Sequence, residues 1–451
     1  MKYLKLFNNH TAYETFESGG TMVKPNVSHC VQENEVHYNP RTWADEYFSF
    51  KATSNVVKIS FLKYDDDDDE FLTSSAYFDY SVSNKSSWVH WDNVSEPIQI
   101  ENGDILYLRG NESNVSEIGI GGLQRAYFSV EGTVECQGNI SSLILGDAFL
   151  NQTNVESYSF ASLFYNCTGL TSAENLSLPA TTLANRCYAS MFSNCTSLTT
   201  APELPATTLA NRCYASMFSN CTSLTTTPEL PATTLADECY NSMFYGTNVL
   251  PDTSNIDFTS EQVVASGGLI GLFDGTNVTD NDLMRILPKN GNGKYCLPAT
   301  TLANNCYYAM FAGCTSLTTA PELPATTLAS YCYQSMFYGC TSLTTAPELP
   351  ATTLANHCYG DMFFDCTSLT TAPQLPATTL ASSCYQNMFY GCTSLSYIKA
   401  MFTTTPSDTY TYKWVDGVAS SGTFVKNSAA TWTTTGVNGI PTGWTVQTAT
   451  A

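Results

Sequence analysis

The 451-residue sequence is poor in charge, and the charge that it carries is one-sided. Charged residues make up 13% of the chain, with 18 Lys and Arg against 40 Asp and Glu, which gives a net charge of -22 at pH 7. Nucleic-acid binding needs a basic footprint that neutralises phosphate, and docking on an anionic membrane needs the same. We therefore expect neither nucleic acid nor an anionic lipid surface among the partners of this protein.

Long apolar runs are also missing. No stretch reaches the roughly 18 consecutive apolar residues of a membrane-spanning helix, so no membrane insertion is predicted. The first residues, MKYLKLFNNHTAYE, lack the apolar segment of about 7–15 residues that a secretion signal needs, so no signal peptide is expected. Because 43% of the residues are hydrophobic, the chain can still bury a core, and global disorder is not expected.

Motifs for catalysis and for cofactors do not stand out. There is no Ser/His/Asp constellation, no Gly-rich phosphate loop and no isolated carboxylate pair, which predicts a non-enzymatic protein without a cofactor or a metal. The run from Asp65 to Asp69 could ligate calcium, since hard cations take carboxylate oxygens. It lacks the alternating ligands and the glycine of a known calcium loop, and it favours a solvated hairpin loop.

A 26-residue repeat is the dominant feature of the sequence. The unit LPATTLANRCYASMFSNCTSLTTAPE begins at Leu178 and returns in whole or in part at later leucines, namely Leu204, Leu230, Leu297, Leu323, Leu349 and Leu375. A fixed period of this length is typical of a solenoid, in which each unit packs against its neighbours. Nine coils are marked by a Met-Phe or Leu-Phe pair, whose Phe members are Phe164, Phe192, Phe218, Phe244, Phe273, Phe311, Phe337, Phe363 and Phe389.

Each unit predicts one short helix and one short strand. Leu183, Cys187, Met191 and Cys195 are spaced four apart, which is one apolar face of a helix. The following SLTTAPELP predicts a strand that ends at Pro202, because proline cannot donate to a β ladder. The predicted fold class is therefore an α/β leucine-rich-repeat solenoid of about nine coils, preceded by a small all-β domain.

Composition divides the chain into four zones. Residues 1–40 are polar and irregular and are predicted to anchor the protein to a larger assembly, folding only against a partner. Residues 41–137 alternate in strand fashion and predict an antiparallel β domain. The repeats occupy 138–400 with an insertion at 250–296, and the tail, 401–451, is expected to cap the last coil with its aromatic residues.

The seventeen cysteines fall mostly into two columns of the repeat. The first column is Cys187, Cys213, Cys239, Cys306, Cys332, Cys358 and Cys384, and the second is Cys167, Cys195, Cys221, Cys314, Cys340, Cys366 and Cys392. Because both columns lie on the apolar stripe, we predict buried, reduced thiols that pack as small hydrophobic groups. Disulfides between coils are the alternative, whereas a spacing of eight without a His column is not a zinc pattern.

The repeat resembles the BspA-like leucine-rich repeats of bacterial surface proteins. The matching residues are the MFxxCTSL core, Met191 to Leu198 and its copies, and the Leu-Pro step that follows. The flanks of the array look like those found in gut Bacteroidetes and their phages, and Lys24 to Pro40 is similar to N-terminal segments of structural proteins of those phages. The resemblance implies a virion fibre or decoration protein that attaches to a bacterial surface, with residues 1–40 binding the virion or another surface assembly.

Positions that vary between copies predict the binding surface. The two positions before the first cysteine and the positions after Phe change from copy to copy, so we expect them to face solvent. Exposed Tyr and Asn suit contacts to a host-surface glycan or protein, and the sequence leaves a homo-oligomer open. The candidate ligand-binding residues are Tyr245, Tyr331, Tyr338, Tyr390, Asn356 and His357.

Two other functions stay open from the sequence. A bacterial cell-surface adhesin would carry the same repeats, although the missing signal peptide weighs against it. A glycan-degrading enzyme with its site in residues 41–137 would need a carboxylate pair in a cleft. We predict a non-enzymatic attachment protein on a virion, with the bacterial cell surface as the alternative location.

Overall fold

The computed structural model describes residues 3–6, 13–16, 22–23, 45–65, 70–72, 74, 76–111, 113–114, 124–258 and 267–449. The strands in chain order are β1 (Tyr3–Leu6), β2 (Tyr13–Phe16), β3 (Met22–Val23), β4 (Ser49–Ala52), β5 (Val56–Asp65), β6 (Glu70–Leu72), β7 (Asp79–Val82), β8 (Val89–His90), β9 (Ile98–Glu101), β10 (Ile105–Arg109), β11 (Gln124–Glu131), β12 (Val134–Asn139), β13 (Leu170–Ser177), β14 (Tyr397–Ala400), β15 (Thr423–Lys426) and β16 (Thr445–Thr448). Single-turn helices span Ser142–Leu145, Leu283–Ile286 and Asp408–Thr411.

Most of the predicted N-terminal anchor lies outside the described residues. Within it, β1, β2 and β3 form a small antiparallel sheet. Of the acidic run, Asp65 ends β5 and pairs with Glu70 at the start of β6, while residues 66–69 lie outside the described part. The solvated hairpin loop predicted for this run therefore falls on residues outside the described part.

Two β-sheets, built mainly from strands between residue 45 and residue 139, pack face to face. One sheet has the strand order β13-β12-β4-β10-β7-β8, and the other has the order β11-β5-β6 with β9 paired to β5. Their inner faces meet through aromatic side chains: the Phe128 ring lies 5.2 Å from Phe50 and 5.0 Å from Phe61, measured between ring centroids. Phe50, Phe61 and Phe128 are fully buried, so apolar burial holds the two sheets together.

The β-domain and the repeats share one sheet. Strand β12 pairs antiparallel with β4 on one side and parallel with β13, which belongs to the first repeat, on the other. The hydrophobic core is also continuous from the β-domain into the first repeat, because the ring of Phe128 in β11 lies 6.0 Å from the ring of Phe164 in that repeat. The predicted boundary at 137/138 falls inside β12, so the structure has no linker at this point.

The short helix predicted for each repeat is wrong. In an α-helix every amide would donate to the carbonyl four residues earlier. Here the Cys187 N–H donates to the Ala184 carbonyl, three residues back, whereas the next N–H, of Tyr188, donates to the Cys213 carbonyl of the following repeat. The same alternation recurs along the repeats, so each segment is a ribbon of overlapping turns, bonded to itself and to its neighbour.

A left-handed backbone at every fourth residue explains this turn ribbon. Arg186, Ser190 and Asn194 have φ values of 56°, 55° and 63°. Type II β-turns require a positive φ at their third residue, whereas a right-handed α-helix excludes a positive φ. The four-residue spacing of the apolar side chains therefore comes from alternating turns and not from a helical period.

Substitutions at Ser216 distinguish the turn ribbon from a helix. Ser216 has a φ of 54°, where glycine is unstrained and a β-branched residue is strongly disfavoured. We expect Ser216→Gly to leave the free energy of unfolding unchanged or to raise it by up to about 1 kcal/mol, and Ser216→Val to lower it by about 1–3 kcal/mol. Denaturant unfolding measures both values. A loss of about 1 kcal/mol for glycine, with valine tolerated, is the helical result and would contradict the turn ribbon.

Two columns of aromatic rings run through the core of the stacked repeats. Rings of the Phe column lie 5.2–5.9 Å from the next ring, with nearly parallel planes. The rings of a Tyr column lie 5.9–6.2 Å apart, and its members are Tyr188, Tyr214, Tyr240, Tyr307, Tyr333, Tyr359 and Tyr385. Offset stacking at this distance is favourable beyond the area that it buries. The strand predicted for each repeat is reduced, in most repeats, to isolated parallel bridges such as Thr319 with Thr345.

The sixteen described cysteines are buried thiols without disulfide partners. In the second column the S–H groups of the six cysteines after Cys167 each donate to a backbone carbonyl of the preceding repeat, as Cys195 does to Phe164 at 3.0 Å. Burial raises the pKa of Cys221 to about 12 and that of Cys195 well above the ordinary value. Both effects keep the thiols protonated and unreactive at neutral pH.

Thiol labelling tests the state of these cysteines. We expect the sixteen buried thiols to resist a thiol reagent in the native protein at pH 7–8, because the thiolate is the reactive form and the sites exclude the reagent. After denaturation without a reductant, all seventeen cysteines should react. Far fewer free thiols in the denatured protein would show that disulfides cross the repeats.

The tail extends the stack by one further unit. The Phe389 N–H donates to the Trp414 carbonyl at 2.8 Å, and the two rings lie 6.1 Å apart, so Trp414 continues the Phe column. The Trp414 indole N–H donates to the Gly439 carbonyl at 2.9 Å. Strands β14, β15 and β16 form a parallel sheet beside this unit. Trp414, Phe424 and Trp444 are buried, which makes them core residues of the C-terminal end.

Candidate functional site

The exposed side of the turn ribbon carries the predicted ligand-binding residues. The residue after the column Phe is exposed in two repeats, where Tyr245 is 42% exposed and Tyr338 is 41% exposed. Tyr331 is 38% exposed, Asn356 is exposed, and Tyr390 and His357 are partly buried. We call this surface the ribbon face.

Three aromatic rings stack on the ribbon face. The ring of Phe364 lies 4.6 Å from Tyr338 on one side and 4.6 Å from Tyr390 on the other, with planes within 12° of parallel. Phe364 is not among the predicted site residues, although it occupies the same repeat position as the two tyrosines. We call Tyr338, Phe364 and Tyr390 the aromatic stack.

A second, shorter stack lies on the same repeats. The rings of Tyr331 and His357 are 4.6 Å apart and within 10° of parallel. The His357 Nδ1 atom is buried and has no hydrogen-bond partner among the described residues. Asn356 supplies a backbone carbonyl that accepts the Tyr331 N–H at 3.0 Å. The stacked His357 ring therefore supports the Tyr331 ring.

Both stacks begin in the repeat 323–348. The preceding repeat has Ala312 where Tyr338 stands and Asn305 where Tyr331 stands, so neither position supplies a ring to cover the next one. The two repeats are directly bonded, since the Gly313 N–H donates to the Tyr338 carbonyl at 2.6 Å. One ring face of each tyrosine is consequently left without an aromatic neighbour, which agrees with their high exposure.

Tyr245 lies apart from the aromatic stack. Its ring packs against the backbone of Gly275, where a Cβ atom would come within 2.8 Å of the ring carbons. Two further repeat positions, Asp274 and Ala312, separate Tyr245 from Tyr338. The structure thus groups Tyr331, Tyr338, Tyr390, Asn356 and His357 together, and it places Tyr245 three repeats away from Tyr338.

Carboxylates and amides border the aromatic stack. Asp361 accepts hydrogen bonds from the Gln334 amide at 3.2 Å and from the Asn387 amide at 2.9 Å. Partial burial, with Asp365 and Asp361 nearby, raises the pKa of Tyr338. The hydroxyl therefore stays protonated, and the ribbon face around it is acidic and rich in hydrogen-bonding groups.

The β-domain carries a carboxylate pair that bears on the enzyme alternative. Arg109 bonds Asp79 through Nε at 3.2 Å and Asp147 through Nη1 at 2.9 Å, and it stacks on Trp88. The hydrogen bond from Tyr47, with further help from Arg109, lowers the pKa of Asp147. A glycosidase acid needs a raised pKa, and the lowered pKa of Asp147 is the opposite of that requirement.

Across the described ranges, no group of three or more His, Cys, Asp and Glu side chains is arranged to hold a metal ion. Among the described residues, the helices do not reach the length and apolar character of a membrane span.

The repeat geometry agrees with a comparison to known protein families. Residues 138–261 and 300–416, just over half of the chain, match the BspA type leucine rich repeat region in six copies. The chain belongs to the BspA-type leucine-rich-repeat family. The BspA-type match ends at residue 416, so it includes the unit of Trp414, and this confirms the resemblance of the repeats to BspA-like proteins. No curated protein and no solved structure matches the chain.

Proposed function

We propose that this BspA-type repeat protein is a non-enzymatic attachment protein that binds a surface ligand through its ribbon face. The observation that carries the proposal is the aromatic stack on a face that varies from repeat to repeat, in which Tyr338 keeps 41% of its surface exposed. Exposed aromatic rings with polar neighbours are typical of recognition surfaces. A BspA-type leucine-rich-repeat region is consistent with adhesion and surface binding.

A continuous solenoid of nine coils is the architecture that we propose for this function. The support is the bonding between repeats: Phe164, Phe192 and Phe218 donate to the next repeat through their N–H groups, and Phe273 resumes the series after the insertion. Between those series, Gly268, Gly271 and Gly275 pack against the repeat of Phe244. A stack of this kind turns one variable position into a column, and so into an extended surface.

A virion is the location that we propose, with the protein serving as a fibre or decoration protein and residues 1–40 binding the virion. The similarity of Lys24 to Pro40 to phage structural proteins supports this location. The ligand is then a glycan or protein on the surface of the host bacterium. A bacterial cell-surface adhesin is the rival, because it would carry the same repeats.

Replacement of Tyr331, Tyr338 and Tyr390 together by Ser tests the ribbon face. We expect attachment to intact gut Bacteroidetes cells to fall at least about tenfold, since the stacked rings that remove apolar area from water are lost. The free energy of unfolding should fall by only about 1–3 kcal/mol, because a few aromatic ring contacts at the surface contribute stabilisation of that size. Cell-binding isotherms and denaturant unfolding of the same preparations give both quantities.

Tyr77 and Tyr397 provide the matched control, because both are 36% exposed and lie outside the ribbon face. Changing this pair to Ser should leave attachment unaltered. The proposal fails if the triple variant attaches as well as the wild type, or if the wild type binds none of the gut Bacteroidetes strains tested.

A further inference from the structure

The stack of repeats ends at an open sheet edge. Strand β16 pairs with β15 on one side and is the last strand in the order β14-β15-β16. The strand at the other side of this sheet, β14, is bonded to the preceding repeat, because the Ala372 N–H donates to the Tyr397 carbonyl at 2.9 Å. All four residues of β16 are exposed. Within the described part of the chain, the outer edge of β16 is therefore left uncovered.

Hydrogen bonds to β15 show which way the backbone of β16 faces. The Thr445 N–H donates to the Gly422 carbonyl at 2.8 Å, and the Ala449 N–H donates to the Lys426 carbonyl at 2.8 Å. Every second residue of a strand bonds to the same neighbouring strand. The backbone groups of Thr445 and Ala449, and of the residue midway between them, consequently face β15.

Val446 and Thr448 occupy the alternate positions of β16. Their N–H and C=O groups point away from β15 toward the open edge, whereas those of Gln447 face β15. A row of backbone donors and acceptors at a sheet edge is a template for one further strand. The occupant that fits this edge is therefore an extended peptide segment.

The last part of the chain lacks the charges that usually protect a sheet edge. Residues 427–451 contain no Asp, Glu, Lys, Arg or His, although the chain as a whole has a net charge of -22. Edge strands are commonly protected by lysine, proline or a bulge, but β16 has neither residue and its pairing with β15 is regular. Strand β6, by contrast, begins at Glu70 directly after the acidic run. The repulsion that keeps two acidic copies apart is thus weakest at this end.

Exposed apolar surface lies beside β16 in the same layer. The carbonyl of Val437, an exposed residue, accepts the Val415 N–H at 3.2 Å, so it lies one layer beyond the Trp414 unit, as β16 lies one layer beyond β15. Val437, Val415 and Pro441 line a shallow pocket, and Ala419 of the same pocket accepts a hydrogen bond from the Trp444 indole at 2.7 Å. Covering the edge of β16 can therefore also remove apolar area from water.

We propose that two copies of this chain pair through β16, antiparallel and about a two-fold axis, so that their three-stranded sheets β14-β15-β16 become one continuous sheet. The same strand then meets itself, as an isologous interface requires. Val446 of one copy bonds to Thr448 of the other, and the two Gln447 residues face each other on the axis. A second copy is the occupant because both edges are uncharged, whereas β16 offers no charge by which to select a foreign strand.

The oligomeric state of the full chain tests this interface. We expect sedimentation equilibrium to give a dimer at concentrations of about 1–50 µM. Thr448→Pro removes an N–H that points to the open edge and spares the bonds to β15, so the dimer dissociation constant should rise about tenfold or more. Thr448→Ala is the matched control, because it keeps this N–H and should dimerise like the wild type. Denaturant unfolding shows that both variants retain the fold.

A charge exchange at Gln447 tests the two-fold axis. Gln447→Glu and Gln447→Lys each place two like charges opposite one another, so each variant alone should dimerise at least about tenfold more weakly than the wild type. An equimolar mixture of the two brings opposite charges together and should form a heterodimer about as tight as the wild-type dimer. Only an interface in which residue 447 meets itself gives this rescue.

The proposal is overturned if the wild type is monomeric over the whole concentration range, or if folded Thr448→Pro dimerises like the wild type. A mixture of Gln447→Glu and Gln447→Lys that associates no more tightly than either variant alone overturns it as well. The triple tyrosine variant of the ribbon face should dimerise like the wild type, so the interface is tested independently of ligand attachment. A triple variant that is monomeric would place the interface on the ribbon face and contradict pairing through β16.

Discussion

Replacement of Phe337 by Ala is expected to lower the free energy of unfolding by about 3–5 kcal/mol. The Phe337 ring is fully buried between Phe311 at 5.9 Å and Phe363 at 5.7 Å, so its removal opens a cavity in the middle of the Phe column. The neighbouring repeats cannot close the cavity, because the Phe337 N–H is bonded to the Met362 carbonyl and holds the spacing of the repeats. Urea unfolding followed by circular dichroism measures the change.

Thr326→Ala is the control for this substitution, because Thr326 belongs to the same repeat and is exposed. It should change stability by less than about 0.5 kcal/mol. A loss below about 1 kcal/mol for Phe337→Ala would mean that the ring is not a core residue and that the repeats are not stacked through it.

Replacement of Trp414 by Ala is expected to have an effect of similar size, about 3–5 kcal/mol, at the C-terminal end of the stack. The Trp414 side chain is fully buried and covers the last ring of the Phe column. Its loss would expose Phe389 and leave the Gly439 carbonyl without the indole N–H. Terminal units of repeat proteins protect the apolar end of the array, so damage here should also promote self-association.

Trp414→Phe separates the contribution of the ring that covers Phe389 from that of the indole hydrogen bond to Gly439. It keeps a ring in the column and loses only the hydrogen bond and part of the area, so we expect a smaller loss of about 1–3 kcal/mol. Light scattering should show self-association of Trp414→Ala and much less of Trp414→Phe. Wild-type stability in Trp414→Ala would show that the tail does not cap the repeats.

Much of the core could be predicted from the sequence, whereas the backbone that carries it could not. Cys187, Met191 and Cys195 repeat at intervals of four and are buried in the structure. That interval fits both an α-helix and a ribbon of alternating turns, because the two differ in φ and not in apolar spacing. Asn194, in the left-handed region, is a residue that tolerates positive φ, but Arg186 in the same conformation gives no such sign.

The site was predictable at the level of positions and not of contacts. Variation between copies is enough to select Tyr331 and Tyr338, and both are exposed. That Phe364 joins two tyrosines in one stack depends on distances that only the folded chain provides.

We propose that this protein attaches a larger particle to a bacterial surface. The most direct measurement is electron microscopy of purified phage particles that contain the chain, labelled with gold-conjugated Fab fragments raised against the ribbon face, together with adsorption of the same particles to host cells. We expect gold at the outer surface of the particles and loss of adsorption when the Fab fragments are bound. Gold on the bacterial envelope but not on particles, or adsorption that the Fab fragments leave unchanged, would contradict it.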